Sequence, residues 1–227
     1  MGGGGFSMEP DNPRLDDFAL SLARRKRHPR VCFLATASGD SDSYIARFHE
    51  AFPPSRADST HLKLFDRKVH DLRSFVLEQD VIYVGGGNTA NLLAIWRLHG
   101  LDRALRVGWN AGVVLAGISA GALCWFQCGV TDSFGHHPQR LDGGLGFLRG
   151  GFCPHYDGEA ARRPALHRLI RGGFPTTLAL DDGAAGHFVG MRLKEVVSSR
   201  PKARAFRVLL KDGAVVEAPL KVRYLGL

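Results

Sequence analysis

Short apolar runs alternate with longer amphipathic stretches along the first 180 residues of the chain. The short runs are rich in β-branched residues and predict strands at residues 30–35, 62–65, 81–84, 113–118 and 177–180. The longer stretches predict helices near residues 15–23, 44–52, 69–78, 89–99 and 101–111. Strands that alternate with helices form βαβ units, and continuous apolar strands are typical of a sheet covered on both faces. The pattern therefore predicts an α/β fold with a mostly parallel sheet.

The tail of the chain has a different pattern, with short strands of alternating polarity. The sequence K-D-G at 211–213 supplies a turn between strands at 205–208 and 215–218, which predicts a hairpin. We expect residues 192–227 to form a small antiparallel extension. Because no repeat or low-complexity linker interrupts the chain, we expect a single domain over residues 1–227.

The net charge of +8 raises the question of nucleic-acid binding. The densest basic run, at 24–27, follows a predicted helix and has no interleaved aromatic residues, so it is interpreted as a solvated surface. No apolar run approaches the roughly 20 residues of a membrane span, and Met1 is followed by glycines rather than by a signal peptide. We expect a cytoplasmic protein with neither nucleic-acid nor membrane partners.

The four cysteines show no paired C-x-x-C spacing, which argues against a zinc knuckle or a redox dithiol. We expect buried free thiols, with neither a metal nor a cofactor. A dinucleotide site is disfavoured because the glycine cluster at 85–88 reads G-G-G-N, which is not the G-x-G-x-x-G fingerprint.

The strongest chemical signal is G-I-S-A-G at 117–121, which follows a predicted strand and precedes an apolar stretch interpreted as a helix to residue 128. This is the context of a nucleophile elbow, with Ser119 as the nucleophile. A helix N-terminus places free N–H groups, including that of Ala120, beside the hydroxyl. The alternative is a plain helix cap, for which serine is also favoured.

The second glycine cluster also follows a buried strand and opens a helix, so it lies at the edge of the sheet where ligands bind in α/β folds. The N–H of Gly86 or Gly87 is a candidate for the other half of an oxyanion hole. Asn88 is a candidate for substrate binding or for capping the helix. The alternative for the whole loop is a tight turn with an N-cap.

A serine nucleophile needs a base, and histidine is the usual one near neutral pH. Among the ten histidines, His155 in C-P-H-Y-D-G at 153–158 stands out. It follows a glycine-rich approach, and the preceding proline stiffens the backbone.

Four motifs in order resemble the peptidase E group of serine peptidases, which includes aspartyl dipeptidase and the more distant cyanophycinase. They are Y-V-G-G-G-N-T at 83–89, G-I-S-A-G-A at 117–122, C-P-H-Y-D-G at 153–158 and A-L-D-D-G-A at 179–184. The resemblance covers nearly the whole chain. It implies a doubly wound sheet of the class I glutamine amidotransferase kind, with helices on both faces. It also implies hydrolysis of short peptides without a metal or cofactor, with Ser119 and His155 at the nucleophile and base positions.

The family pattern places residues 2–6 directly after a first strand. This sequence departs from it there, and we expect that strand to be almost entirely absent. Such an absence would lower stability or disturb the floor of the pocket.

The third member of the triad has two candidates. Asp182 resembles the family's acidic triad residue, and Asp132 matches another proposed position. If residues 120–128 were helical, the chain would travel about 13 Å from Ser119 before reaching Asp132. Asp182 follows the strand at 177–180 and so emerges at the same sheet edge as Ser119, which favours Asp182.

The expected activity is that of a serine exopeptidase on short peptides, as a dipeptidase or aminopeptidase. Specificity for an amino-terminal aspartate would need an arginine fork, for which Arg162 and Arg163 are candidates in an ambiguous register. An esterase or amidase with the same triad, or a catalytically silent small-molecule binding protein of this fold, is the alternative. A short peptide is the expected partner, and a homodimer is left open.

Overall fold

The structure is a computed structural model that describes residues 1–25 and 27–226. Lys26 of the basic run and Leu227 lie outside the described residues. The helices are α1 (Gly5–Met8), α2 (Arg14–Ser21), α3 (Asp42–Ala51), α4 (Leu72–Leu77), α5 (Thr89–His99), α6 (Leu101–Asn110), α7 (Ala120–Leu123) and α8 (Arg162–Arg171). The strands are β1 (Arg30–Leu34), β2 (Asp58–Leu62), β3 (Val81–Val84), β4 (Val114–Gly117), β5 (Phe126–Thr131), β6 (Gln139–Asp142), β7 (Leu148–Cys153), β8 (Thr177–Leu180), β9 (Ala184–Val189), β10 (Arg192–Ser198), β11 (Ala205–Lys211), β12 (Ala214–Pro219) and β13 (Val222–Tyr224).

Four parallel strands form the sheet that carries the glycine loop and the elbow, in the order β2-β1-β3-β4. All four residues of β3 are buried, which explains the continuous apolar run in the sequence. Parallel strands end at the same edge, so the segments that follow β3 and β4 meet there. The prediction of an α/β fold with a mostly parallel central sheet is confirmed, with helices and additional antiparallel strands around it.

Two further sheets complete the described part of the chain. One has the order β12-β11-β8-β7-β5-β6, in which β5, β7 and β8 are parallel. The other has the order β13-β10-β9. In the tail, β11 and β12 form the predicted hairpin and β11 pairs antiparallel with β8, whereas β10 runs antiparallel to β9 and parallel to β13. The single-domain organisation stays a prediction.

One predicted strand is misplaced. The segment 62–65 was expected to be a strand, but β2 ends at Leu62. β2 is an edge strand whose residues are mostly polar, so it lacks the apolar run on which the prediction depended. The N–H groups of Leu64 and Phe65 bond instead to the Asp40 carboxylate, at 2.5 and 2.9 Å, so this segment is a tethered loop.

The apolar stretch after the elbow is not one helix. α7 ends at Leu123, and β5 begins at Phe126. Gly129 permits the close pairing of β5 with β7, because a Cβ there would lie 2.7 Å from the carbonyl oxygen of Phe152 in β7. Periodicity alone does not distinguish a buried strand from a buried helix segment. The helical path of about 13 Å from Ser119 to Asp132 is therefore wrong, since it requires about nine helical residues.

The four cysteines are free and buried. Over residues 1–25 and 27–226, no helix has the length and apolar character needed to cross a membrane.

Candidate active site

Ser119 occupies a sharp turn between β4 and α7. Its φ of 53° and ψ of −113° lie in a region that non-glycine residues rarely adopt. The turn is tight, because a Cβ at Gly117 would lie 2.0 Å from the carbonyl oxygen of Gly121, and one at Gly121 would lie 2.4 Å from that of Val84. The small residues at 117 and 121 are thus sterically required, and the turn holds the serine hydroxyl at the edge of the sheet.

His155 follows β7 and also has a positive φ, of 52°. Its backbone N–H donates to the carbonyl oxygen of Gly2 at 3.3 Å. This backbone geometry points the imidazole at the elbow, where Nε2 lies 2.8 Å from Oγ of Ser119. The hydroxyl and the imidazole are therefore in direct hydrogen-bond contact.

Asp182 follows β8 and completes the chain of hydrogen bonds. Its Oδ1 lies 2.7 Å from Nδ1 of His155, and its own N–H donates to Oδ1 of Asp157 at 2.8 Å. Burial raises the pKa of Asp182, but the hydrogen bond from His155 and the attraction of His155 and Arg200 outweigh it, so the pKa lies below its usual value. An ionised Asp182 accepts a hydrogen bond from Nδ1–H, which leaves Nε2 free to accept a hydrogen bond from the Ser119 hydroxyl.

The amino-terminal residues contact all three loops that carry Ser119, His155 and Asp182. Ser119 N–H donates to the carbonyl oxygen of Met1 at 3.1 Å, and Gly183 N–H donates to that of Gly3 at 3.0 Å. Sequence reasoning singled out the glycine run without assigning this role. The available signal was the glycine run itself, because glycines are typical of a loop that makes close backbone contacts.

The glycine loop after β3 lies beside the elbow. A Cβ at Gly86 would be 3.6 Å from Cβ of Ser119. However, the N–H of Gly86 already donates to Oη of Tyr44 at 3.2 Å, and Tyr44 in turn donates to Oγ of Ser7 at 2.7 Å. Sequence reasoning missed Tyr44, which looks like any apolar-face residue of a helix.

Two other backbone donors, one in the glycine loop and one at the start of α7, are not engaged in this way. Within the described residues, no acceptor is assigned to the N–H of Gly87 or of Ala120. Gly87 has a φ of 135°, and a Cβ there would lie 2.3 Å from the carbonyl oxygen of Ala37. Glycine is therefore required at position 87, and the loop exposes its backbone rather than side chains.

Asn88 has a capping role in this structure. Its Oδ1 accepts from the N–H of Asn91 at 2.9 Å, and its Nδ2 donates to the carbonyl oxygen of Ser133 at 3.0 Å. Oγ of Ser133 accepts from the N–H of Thr89 at 2.9 Å. The loop after β5 therefore holds the first turn of α5.

The remaining candidates form a separate network. Arg162 is almost fully buried, and its guanidinium contacts Glu159 at 2.5 Å, the carbonyl oxygen of Val130 at 2.7 Å and Asp132 at 3.4 Å. The Asp132 side chain is 55% exposed and lies against this arginine. Arg163 forms a two-pronged ion pair with Glu217. Both arginines are thus engaged by acidic side chains.

Comparisons with known proteins identify a family from the sequence and a similar fold among solved structures. A sequence model of "Peptidase family S51" matches residues 1–196. The "Uncharacterized peptidase YgaJ" of Bacillus subtilis (strain 168) is 56% identical over 227 residues, which are 100% of this chain and 97% of the relative. A crystal structure of a peptidase from an acI-B1 Actinobacterium has a TM-score of 0.73 at 20% identity, covering 98% of this chain and 92% of the other. A putative peptidase E from Listeria monocytogenes EGD-e has a TM-score of 0.54 at 16% identity, covering 90% of this chain and 93% of the other.

Proposed function

Because the chain belongs to peptidase family S51, and is thus a peptidase, we propose that it is a serine exopeptidase that hydrolyses short peptides. The observation that supports the serine mechanism is the continuous hydrogen-bonded chain Ser119–His155–Asp182, with distances of 2.8 and 2.7 Å. The restriction to short peptides rests on the resemblance to peptidase E.

In the first half-reaction, Oγ of Ser119 attacks the carbonyl carbon of the scissile bond, and Nε2 of His155 takes the hydroxyl proton. The imidazolium that forms is stabilised by the ionised Asp182. The tetrahedral intermediate collapses when Nε2 returns the proton to the leaving amine, which leaves an acyl ester on Ser119. Water then attacks the ester with His155 again as the base, which releases the acid and restores the hydroxyl.

The oxyanion would be held by backbone donors. The N–H of Ala120, at the start of α7, and the N–H of Gly87 are the pair that this structure favours, because Gly86 N–H is already bound to Tyr44. Asn88 would shape the loop through its cap rather than bind substrate directly.

Specificity at the amino end of the substrate is proposed to extend beyond aspartate. Holding an aspartate side chain would need a free guanidinium. Arg162 is committed to Glu159 and Asp132, and Arg163 to Glu217, so either would have to break an ion pair to bind a substrate carboxylate.

A panel of dipeptides, aminoacyl chromogenic amides and simple esters tests the proposal, with Ser119→Ala as the matched control. We expect turnover of peptides or aminoacyl amides by the wild type and none by the variant. Turnover of esters but not of peptides would favour the esterase alternative. A folded protein that turns over none of these substrates and does not react with a serine-directed phosphonofluoridate would support the silent binding protein instead.

A further inference from the structure

A cavity of about 250 Å³, which we call the basic pocket, lies on the surface where α4 packs against α6. Within the described residues, no acidic side chain lines it. The apolar part of the lining comes from α4 and α6 and consists of Leu72, Ala104 and Val107. The basic part comes from four segments and consists of Arg67 and His70 before α4, Arg73 of α4, His99 at the end of α5 and Arg103 of α6.

Two of these arginines lie at the turn between α5 and α6. Gly100 in this turn has a φ of 74°, and a Cβ there would lie 2.9 Å from a guanidinium nitrogen of Arg103. The absence of a side chain at position 100 therefore lets the Arg103 guanidinium lie against the backbone. Arg67 reaches the same turn, since its Nη1 donates to the carbonyl oxygen of His99 at 3.4 Å.

The three arginines of the basic pocket have no ion-pair partner. Among the residues that the structure describes, no salt bridge is formed by Arg67, Arg73 or Arg103. Their side chains are exposed at the mouth of the pocket. Arg162 and Arg163, by contrast, are both engaged by glutamates. The guanidinium forks of the pocket are thus available to an anion from solution.

The carboxylates that neighbour these arginines in sequence have other contacts or lie outside the pocket. Asp66 pairs with Lys68 at 3.6 Å. Asp71 caps α4, where it accepts from the N–H and the hydroxyl of Ser74 at 3.0 and 2.7 Å. Asp102 is next to Arg103 in α6 but does not line the pocket. These carboxylates moderate the local positive charge and leave the arginine forks unoccupied.

The chemistry of the pocket favours a ligand with two linked phosphate groups. A guanidinium fork matches the oxygens of a phosphate with two parallel N–H bonds. One phosphate group is matched by one or two forks, so three forks from three segments fit a diphosphate better. His70 and His99 add ring N–H donors. The volume of about 250 Å³ is below the roughly 300–1,000 Å³ of clefts that enclose drug-sized ligands, so the pocket suits a small anionic group.

We propose that the basic pocket is an anion site that binds a diphosphate group through Arg67, Arg73 and Arg103. The group is either free pyrophosphate or the diphosphate of a nucleotide whose remainder lies outside the pocket. The site is separate from the candidate active site, because α5 begins at the glycine loop and ends at the pocket, and its 11 residues span roughly 16 Å. The proposal therefore does not depend on the proposed peptidase mechanism.

Calorimetric titration of the 227-residue chain with pyrophosphate and with orthophosphate, without divalent cations, tests the proposal. We expect one pyrophosphate to bind with a Kd on the order of 100 µM or lower, and orthophosphate to bind at least about tenfold more weakly. Added salt should weaken binding, since the contacts are charged and exposed. Equal affinity for the two anions, or no saturable binding at millimolar pyrophosphate, overturns the proposal.

Arginine variants locate the binding. Arg73→Gln and Arg103→Gln each remove one fork and should raise the Kd for pyrophosphate roughly tenfold, because hydrogen bonds between charged groups are lost. Arg168→Gln is the matched control, since it removes an exposed arginine of α8 with the same change in charge and should alter the Kd less than about twofold. Equal weakening by all three variants would mean that the net charge alone attracts the anion, and the proposal would be wrong.

Arg103→Lys separates the fork from the charge. It keeps the positive charge but not the planar pair of donors, so it should also bind pyrophosphate more weakly than the wild type. Wild-type affinity in this variant contradicts recognition by the fork. Each variant should keep the wild-type Tm in the absence of ligand, because the replaced side chains are exposed.

ADP distinguishes the two sources of the diphosphate. Binding of ADP as tight as or tighter than that of pyrophosphate assigns the site to a nucleotide, whereas weaker binding assigns it to free pyrophosphate. In either case the affinity must fall in Arg103→Gln. Anions that bind equally well to Arg103→Gln and to the wild type do not use the basic pocket, and this result would overturn the proposal.

Discussion

Gly3 lies against the carboxylate of Asp182, so closely that a Cβ at position 3 would be 2.1 Å from Oδ1. The same Cβ would be 2.9 Å from Nδ1 of His155. Gly158 closes the other side of the carboxylate, where a Cβ would lie 2.2 Å from Oδ2. A side chain at position 3 or 158 would therefore collide with the Asp182 carboxylate and disturb its hydrogen bond to His155.

Gly3→Ala should accordingly lower kcat by about 100-fold or more, because a displacement of about 1 Å at a catalytic group has effects of this size. Gly172→Ala is the control, since position 172 has a φ of −83° and its nearest heavy atom to a new Cβ is 3.3 Å away. kcat on one peptide substrate and the circular dichroism of both variants are the measurements. A Gly3→Ala enzyme with wild-type kcat would show that the close approach has no part in positioning Asp182.

Ser119→Ala should abolish peptide hydrolysis while the fold is retained, because alanine fits the tight turn. Losses on removing a triad serine are of order 10⁶ in kcat. Ser43→Ala, which changes an exposed hydroxyl, is the matched control and should keep full activity. A Ser119→Ala variant with more than a few per cent of wild-type turnover would exclude the serine mechanism.

Two members of the proposed triad could be placed from the sequence because each follows an apolar run that predicts a strand. Ser119 comes after β4, His155 after β7 and Asp182 after β8. The apolar runs before Ser119 and Asp182 were recognised as strands, and parallel strands bring their carboxyl ends to one edge. The position of His155 came from its local motif and from the family resemblance, since β7 itself was not predicted.

Other features depend on contacts that no local pattern carries. The run from Ala120 to Cys128 is apolar except for Gln127, so its periodicity does not reveal the division into α7 and β5. The hydrogen bond between Gly86 and Tyr44 joins residues 42 positions apart. The cavity between β4 and β9 is formed by strands from two different sheets, which no local pattern predicts.

Asp16 should make the protein less stable as the pH rises. It is 1% exposed, and burial raises its pKa from 3.8 to about 6 although the Tyr83 hydroxyl donates to it. The folded state binds this proton more tightly than the unfolded state, so the contribution is fully present below pH 3.8 and is lost as the pH rises through 6. Its size is about 3 kcal/mol.

Urea unfolding of the wild type and of Asp16→Asn between pH 4 and 7 measures this contribution. The Met1 amino group acts in the opposite direction between pH 5 and 8, because its pKa is lowered from 8.0 to about 5, but it is common to both proteins. The unfolding free energy of the wild type minus that of Asp16→Asn should therefore decrease as the pH rises. A constant difference across the range would show that Asp16 has an ordinary pKa.

The two candidate acids differ in what they contact, and this difference predicts opposite outcomes. Asp182 accepts from Nδ1 of His155 at 2.7 Å, so Asp182→Asn leaves the imidazole in the wrong tautomer and should lower kcat by up to about 10⁴. Asp132 pairs with Arg162 at 3.4 Å and is 55% exposed, so Asp132→Asn removes one of several contacts of that arginine and should change kcat less than tenfold.

Both variants replace a carboxylate with its nearly isosteric amide, so each serves as the control for the other. The measurement is kcat on one good peptide substrate, with folding checked by circular dichroism. A large loss at Asp132 with little loss at Asp182 would reverse the assignment and give the order Ser, Asp, His along the chain.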